Sequence, residues 1–387
     1  MAGGLLAPAT GETGMSSNKQ HVRFDFADGL RGVAILCVIL FHFTQTFWQH
    51  RERISDILNM DPLEGYVGAS FVLPFNLGAV GVGLFLLISG LLIPLSLTRM
   101  GVLRFAVSRV FRIYPTYWAG LAVTLAALWL AAWLADNDFD ITQRDVIGHV
   151  SIAFQDMLGG RNIDPVMWTL KVELWFYALL GAAFALTGKH IKWAIWLLLP
   201  LVAMLCRGPG AQGLHGQLAH FWAYDQYFLA SVVCYFPLMF AGCWCYFYLT
   251  GQAGKVETVL HFVGLLAMFV WVTHWPSLEL YGSYLIGISL FVLGVLRPAL
   301  WSSPWLARVA AVSYAWYVCH SNAGYVLMEV LAEYNLPWWL LVLAATAMTW
   351  MMALAINRWV ELPTQKLGKR AADALKDKPA TDNLARQ

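Results

Sequence analysis

The sequence predicts an all-α polytopic membrane protein with about ten transmembrane helices and both termini in the cytoplasm. The chain has 387 residues, of which 59% are hydrophobic and only 12% are charged, a balance too apolar for a soluble globular domain. Apolar runs long enough to cross a hydrocarbon core of about 30 Å recur along the chain. The basic residues between these runs are distributed unequally, which predicts the orientation of the bundle.

Ten apolar segments qualify as membrane helices. The fifth and eighth are short, but omitting either would invert the charge balance of every later loop. With the N-terminus inside, the cytoplasmic segments hold 18 Lys and Arg and the external loops hold 5, as the positive-inside rule requires. We therefore expect a multi-pass protein of the plasma (inner) membrane. The predicted helices lie near 29–48, 78–98, 113–135, 166–187, 190–206, 227–249, 257–274, 281–297, 308–331 and 338–358.

The predicted organisation is a cytoplasmic segment 1–22, a transmembrane domain 23–363 and a partly disordered cytoplasmic tail 364–387. Segment 1–22 lacks the pattern of a cleavable signal peptide, and the tail is charged and rich in small residues. No loop has room for an appended soluble domain, so the chemistry is expected inside the membrane. With a net charge of +2, nucleic acid is not an expected partner. The six cysteines have no metal-type spacing, so no metal is expected.

Two polar residues mark the first predicted helix, in DGLRGVAILCVILFHF from residue 28. Arg31 and His42 are eleven positions apart, so at 100° per residue they share one helical face, roughly 16 Å apart. Ionisable side chains at membrane depth are costly unless they face a cavity or a partner, which makes them candidates for function. In the alternative interpretation, Arg31 reaches the lipid headgroups and His42 is a packing residue.

A second pair, Lys171 and Glu173, lies near the outer end of the predicted fourth helix, in MWTLKVELWFY. Residues two positions apart project about 200° apart, so these two cannot neutralise each other on one face. Glu173 is the only acidic residue that we place within the membrane proper, and Arg31 or His42 would be a suitable partner. A carboxylate solvated by headgroups is the alternative.

A basic face is predicted in FAVSRVFRIYPTYW, from residue 105. Arg109 and Arg112 are three positions apart and therefore share a helical face at the cytoplasmic surface. Guanidinium groups in this arrangement hold phosphate oxygens well, which suits an anionic cytoplasmic ligand. The insertion rule and anionic lipids select the same residues, so this alternative stays open.

Together these elements resemble the membrane-bound acyltransferase 3 family, whose members acylate sugars and related acceptors. Two departures are modest: GLFLLISG lacks the aromatic pair often found before Ser-Gly, and Val318 stands where the family commonly has Leu. The chain resembles the stand-alone form, without a fused extracellular esterase-like domain. Six elements in the family's order carry the resemblance: Asp28-Gly29-Leu30-Arg31-Gly32 followed by His42; LLISGLLI around Ser89 and Gly90; Arg109, Arg112, Ile113, Pro115, Tyr117 and Trp118; Trp168, Thr169, Leu170 and Glu173; SYAWYVCH from Ser313 to His320; and Glu361-Leu362-Pro363.

The resemblance implies an O-acyltransferase that uses acyl-CoA, above all acetyl-CoA, and a carbohydrate or glycolipid acceptor. It implies His42 as the base, since histidine accepts protons near neutral pH. Glu173 would orient the imidazole, and Arg31 would bind donor phosphate or hold the local geometry. The remaining implied roles are cofactor binding by Arg109, Arg112, Tyr117 and Ser89, and substrate binding by Asp28, Trp168, Tyr314 and His320.

Several alternatives stay open at this point. Direct transfer is expected because no serine lies in a nucleophile motif, and transient acylation of His42 is the other route. The acceptor could also be a small-molecule glycoside or a macrolide hydroxyl. A non-enzymatic transporter of a lipid-linked sugar would need buried charges too, although the chain shows no internal repeat. Nothing in the sequence indicates an oligomeric state.

Overall fold

Long helices and short connections build the protein in a computed structural model that describes residues 24–60, 73–207, 228–273 and 277–375. Eight helices in these ranges are long and apolar enough to cross a membrane. In chain order the helices are α1 (Asp25–Gln49), α2 (Arg51–Leu58), α3 (Leu77–Met100), α4 (Val102–Leu134), α5 (Gln143–Ser151), α6 (Gln155–Leu158), α7 (Trp168–Thr187), α8 (Ile191–Arg207), α9 (Phe228–Val233), α10 (Phe236–Leu249), α11 (Lys255–Thr273), α12 (Leu278–Leu296), α13 (Pro304–Cys319), α14 (Ser321–Ala332), α15 (Trp338–Ile356) and α16 (Leu362–Ala374).

The prediction of an all-α polytopic membrane protein is confirmed. Each of the ten predicted segments is helical where the structure describes it. The predicted fifth helix corresponds to α8, which has 17 residues. The predicted ninth helix, 308–331, is divided at His320 into α13 and α14. The predicted N-terminal segment 1–22 lies outside the described residues.

Helix α3 lies at the centre of the bundle, in contact with α1, α10 and α12. Two glycines allow the helices to approach closely. A side chain at Gly90 would overlap the carbonyl oxygen of Met239 on α10, and a Cβ at Gly32 on α1 would lie 2.6 Å from the carbonyl oxygen of Leu306 on α13. Close packing therefore explains the glycine in two of the sequence elements that carry the family resemblance.

Two π-helical turns interrupt the long helices. The turn His42–Thr46 lies within α1, and the turn Asn357–Glu361 joins α15 to α16. Each π turn contains one residue more than an α-helical turn, and such turns are frequent at functional sites. Glu361 is buried and accepts hydrogen bonds from Asn357 Nδ2 at 2.9 Å and Gln365 Nε2 at 3.0 Å.

Helix α4 and the continuous pair α15–α16 are longer than a membrane requires. They have 33 and 37 residues, hence about 50 and 55 Å at 1.5 Å per residue, against about 30 Å for the hydrocarbon core. At the end predicted to be cytoplasmic, Arg104 Nη2 lies 2.8 Å from Asp373 Oδ1. The predicted tail 364–387 is therefore helical as far as Ala374, and residues 376–387 lie outside the described part of the chain.

The segment between α4 and α7 follows the other end of α4, away from Arg104. Thr142 and Asp145 form a capping box at the start of α5, and the Asp145 carboxylate also accepts a bond from the backbone N–H of Arg161 at 2.6 Å. Burial raises the pKa of Asp145, but the hydrogen bonds from Thr142 and Arg161 outweigh this effect and hold the pKa at about 2. The backbone N–H of Ile163 donates to His149 Nε2 at 3.3 Å. Side chains of α5 thus hold the loop that leads into α7.

Candidate functional site

A cavity of about 280 Å³ lies inside the bundle between α1, α3, α4, α7 and α13. Its volume is at the lower limit of the roughly 300–1,000 Å³ typical of small-molecule pockets. The wall from α3 is mostly apolar and includes Val82, Phe85 and Leu86. The polar groups of the lining are Arg31, Ser89, Ser96, Arg109, Arg112, Thr169, Glu173, Tyr177, Ser313, Tyr314 and Tyr317.

Three arginines line this cavity: Arg31, Arg109 and Arg112. Arg109 Nη2 donates to Ser96 Oγ at 2.9 Å, and its guanidinium carbon lies 5.2 Å from the ring centroid of Tyr177. The Nε donor of Arg109 is buried and has no hydrogen-bond partner among the described residues. Because a buried unpaired donor is costly, this arrangement favours binding of an anion.

The predicted substrate-binding residue Asp28 lies at the end of the bundle where α1 begins. Its Oδ1 is 3.2 Å from Arg31 Nη1, and its side chain is 37% exposed. This carboxylate therefore holds the arginine from the predicted cytoplasmic side. It lies outside the cavity lining.

Glu173 lies in the cavity wall, bonded to hydroxyl groups. Ser89 Oγ donates to its Oε1 at 2.9 Å, and the Tyr177 hydroxyl donates to the same oxygen. Tyr177 lies four positions further along α7, where side chains share a helical face. Lys171 points elsewhere, as predicted, and its Nζ donates to Gln155 Oε1 at 2.5 Å. The carboxylate at membrane depth therefore has partners within the site.

His42 lies beyond the cavity and is not part of its lining. Its Nδ1 is 2.5 Å from the hydroxyl oxygen of the buried Tyr325, and its ring centroid is 4.8 Å from that of His320, edge to face. In this structure Glu173 does not bond to His42. Tyr325 occupies the position beside the imidazole that we predicted for Glu173, because the fold places α14 rather than α7 against the end of α1.

His320 is held in one tautomer by its neighbour on α13. Its Nδ1 lies 2.8 Å from the carbonyl oxygen of Tyr317. A carbonyl oxygen only accepts, so in the neutral ring Nδ1 carries the hydrogen and Nε2 keeps its lone pair. This Nε2 is buried and has no partner among the described residues. His320 thus offers an unused hydrogen-bond acceptor next to His42.

Tyr314 lines the cavity and donates to the carbonyl oxygen of Ile113 at 2.8 Å. Tyr117 is buried outside the lining, where its hydroxyl donates to Met167 Sδ at 2.9 Å. Trp168 also lies outside it. Of the predicted site residues, the structure brings together Arg31, Ser89, Arg109, Arg112, Glu173 and Tyr314 around the cavity, and places Asp28, His42, Tyr117, Trp168 and His320 outside its lining.

Five residues of the site have no predicted role: Thr169, Tyr177, Tyr317, Ser96 and Tyr325. Tyr177 was detectable from its spacing to Glu173, and Thr169 and Tyr317 fall within quoted sequence elements. Nothing in the sequence pointed to Ser96 as the partner of Arg109, or to Tyr325 as the partner of His42.

The fold and the site together define a helical membrane bundle with an internal cavity lined by three arginines and a pair of imidazoles beyond it. The chain matches a family model described as an acyltransferase domain over residues 24–357. It therefore belongs to the acyltransferase 3 family and is an acyltransferase. The predicted resemblance is confirmed, and family membership favours the enzyme over the transporter. Neither the curated proteins nor the solved structures contain a match to this chain.

Proposed function

We propose that the protein transfers an acyl group, above all acetyl, from acyl-CoA to a hydroxyl of a cell-surface or lipid-linked carbohydrate, in the plasma (inner) membrane. The observation that carries this proposal is the cavity, in which three arginines and an apolar wall lead from the predicted cytoplasmic end toward the imidazoles. CoA is a polyanion of the cytoplasm, so Arg31, Arg109 and Arg112 meet it on the side from which it arrives.

His42 acts as the general base in this proposal. This role requires the tautomer in which Nδ1–H donates to the Tyr325 hydroxyl oxygen, 2.5 Å away, and the lone pair is on Nε2. The acceptor hydroxyl oxygen attacks the thioester carbonyl carbon while Nε2 takes the hydroxyl proton. The C–S bond breaks, and the imidazolium returns that proton to the leaving sulfur, so that the ester and the CoA thiol are the products. Tyr325 keeps the imidazole oriented, the role of the third residue of a catalytic triad.

Glu173 and Ser89 help to form the part of the cavity that would bind the acyl-CoA donor. The carboxylate is bonded to Ser89 and Tyr177, and Tyr177 lies against the Arg109 guanidinium. Glu173 thereby positions Tyr177, which packs against the cation that would bind phosphate. Its contribution to transfer is proposed to pass through this contact rather than through His42.

Mass spectrometry of the host's surface and lipid-linked glycans tests the reaction. We expect a deletion strain to lose an ester-linked acyl mass that wild-type protein restores and His42→Ala protein does not. His190→Ala is the matched control, because His190 is exposed and lies outside the cavity lining. Full restoration by His42→Ala would refute the role of His42. An unchanged glycan profile in the deletion strain would refute the carbohydrate acceptor and direct the search to small-molecule hydroxyls.

The donor site is tested separately with purified protein. Arg112→Gln is expected to raise the KM for acetyl-CoA by about tenfold or more, since hydrogen bonds to charged groups contribute about 1.5–3 kcal/mol, and to change kcat little. His42→Ala is expected to lower kcat by about 100-fold or more. Rapid quenching after addition of acetyl-CoA without acceptor distinguishes the two routes, because an acetylated His42 peptide would support the covalent one.

A further inference from the structure

The donor cavity ends before it reaches His42. Phe85 and Tyr317 line the cavity, whereas His42 and His320 do not. The ring centroid of Tyr317 lies 6.2 Å from that of Phe85, which lines the cavity, and 5.9 Å from that of His320, which does not. His320 in turn lies 4.8 Å from His42. Tyr317 is thus the lining residue that connects the cavity to the two imidazoles by ring contacts.

Hydrogen bonds hold Tyr317 in this position. Its hydroxyl oxygen is 2.6 Å from Thr169 Oγ1 and 2.9 Å from the carbonyl oxygen of Val166, and Thr169 Oγ1 is 3.3 Å from the same carbonyl. The two hydroxyl protons have two acceptors within reach: the carbonyl oxygen and the oxygen of the other hydroxyl group. Tyr317 is only 7% exposed. A closed latch therefore joins α13 to the start of α7.

The proposed reaction cannot proceed across this latch. A base takes a proton only from a hydroxyl within hydrogen-bond reach, so the thioester carbonyl must approach His42. We propose that Tyr317 and Thr169 form a gate between the donor cavity and the His42–His320 pair, and that Tyr317 determines which acyl groups are transferred. This inference rests on the proposed acyl-CoA donor.

The surroundings of Tyr317 explain why the gate selects short acyl groups. Phe85 and His320 lie near its ring, and Met167, next to Val166 before α7, is buried and accepts a hydrogen bond from Tyr117 on α4. A densely packed interior yields little volume when one side chain moves. The space that opens when Tyr317 turns therefore accommodates an acetyl group and excludes a long chain.

The ratio of kcat/KM for hexanoyl-CoA to that for acetyl-CoA tests the gate. Tyr317→Ala removes the ring, and we expect this ratio to rise by about tenfold or more, the scale of discrimination that apolar pockets achieve. Trp316→Phe is the matched control on the same helix, because the Trp316 indole donates to Thr349 Oγ1 on α15, away from the cavity. Its ratio should equal that of the wild type.

Tyr317→Phe tests the latch separately, because the ring stays and the hydroxyl bonds are lost. Without these bonds the gate opens more often, and water can attack the thioester in place of the acceptor hydroxyl. Hydrolysis of acetyl-CoA in the absence of acceptor should therefore rise by about tenfold. An unchanged chain-length ratio in folded Tyr317→Ala overturns the proposal. If Tyr317→Ala does not fold, an unchanged hydrolysis rate in Tyr317→Phe overturns it instead. If the wild type consumes no acyl-CoA with any acceptor, the proposed function fails and the gate with it.

Discussion

The ion pair between Arg51, the first residue of α2, and Glu329 stabilises the chain just beyond α1 against α14. Arg51 Nε and Nη2 donate to the two carboxylate oxygens at 3.1 and 2.7 Å, the bidentate geometry that makes such pairs strong. The Glu329 side chain is 4% exposed and that of Arg51 is 17% exposed. Arg51 follows the end of α1 by two residues and Glu329 lies one turn after Tyr325, so the pair fixes the segments next to those that bring His42 and Tyr325 together.

Removal of Arg51 and removal of Glu329 should lower the free energy of unfolding by different amounts. Arg51→Met leaves a buried carboxylate without its counter-charge, and we expect a loss of about 3–5 kcal/mol. Glu329→Gln leaves the more exposed cation, so about 1–2 kcal/mol is expected. The double variant Arg51→Met/Glu329→Leu replaces both charges with apolar groups of similar size and should unfold within about 1 kcal/mol of the wild type.

Thermal unfolding with a thiol-reactive dye measures these differences. Cys243, Cys245 and Cys319 are free and buried, so the dye reports their exposure as the bundle opens. For a chain of this size, Arg51→Met should lower the midpoint by on the order of 5–10 °C. A buried, mutually stabilising ion pair is refuted if Arg51→Met unfolds at the wild-type temperature, or if the stability lost in the double variant equals the sum of the two single losses.

Three further changes have defined outcomes. Tyr325→Phe removes the partner of His42 Nδ1 and should lower kcat by about tenfold without changing the KM for acetyl-CoA; a wild-type kcat in steady-state assays would contradict this role. Gly90→Ala places a methyl group against a backbone carbonyl of α10 and should cost about 1–3 kcal/mol in thermal unfolding, whereas Gly264→Ala, where nothing lies within 4 Å of the added carbon, should cost nothing. Asp145, with a pKa of about 2 against about 3.9 when unfolded, adds stability that is present above pH 4 and is lost as the pH falls toward 2; an Asp145→Asn protein should be less stable than the wild type at pH 5, and the difference should shrink at pH 3.

Hydropathy located the helices but not all of their ends. Helix α4 begins at Val102, eleven residues before the predicted start, because Arg104, Arg109 and Arg112 interrupt the apolar run without interrupting the helix. Arginine is a good helix former, and Arg104 finds its partner in Asp373 on another helix. The break at His320 was missed for a different reason: the residues on either side of it include no proline, so the sequence carries no strong local signal.

Charged residues at membrane depth indicated the lining of the cavity better than they indicated the contacts of His42. Arg31 and Glu173 are conspicuous in apolar helices, and both line the cavity. Tyrosine is not conspicuous there, so Tyr325 could not be distinguished from other aromatic residues. Its contact with His42 joins residues 283 positions apart, and only the packing of α14 against α1 determines it. Pairings of this kind depend on tertiary structure, which local patterns do not encode.

The π turns at His42–Thr46 and Asn357–Glu361 change the direction in which the side chains after them point. One extra residue rotates every later side chain by about 100° relative to an uninterrupted α-helix. Loss of a single residue from the first turn would rotate the buried Phe47 and displace the start of α2, which carries Arg51. The same loss in the second turn would swing Asp373 away from Arg104. Both turns should therefore accept replacement of a side chain more readily than a change in length, and a one-residue deletion there should be more damaging than one in a connecting loop.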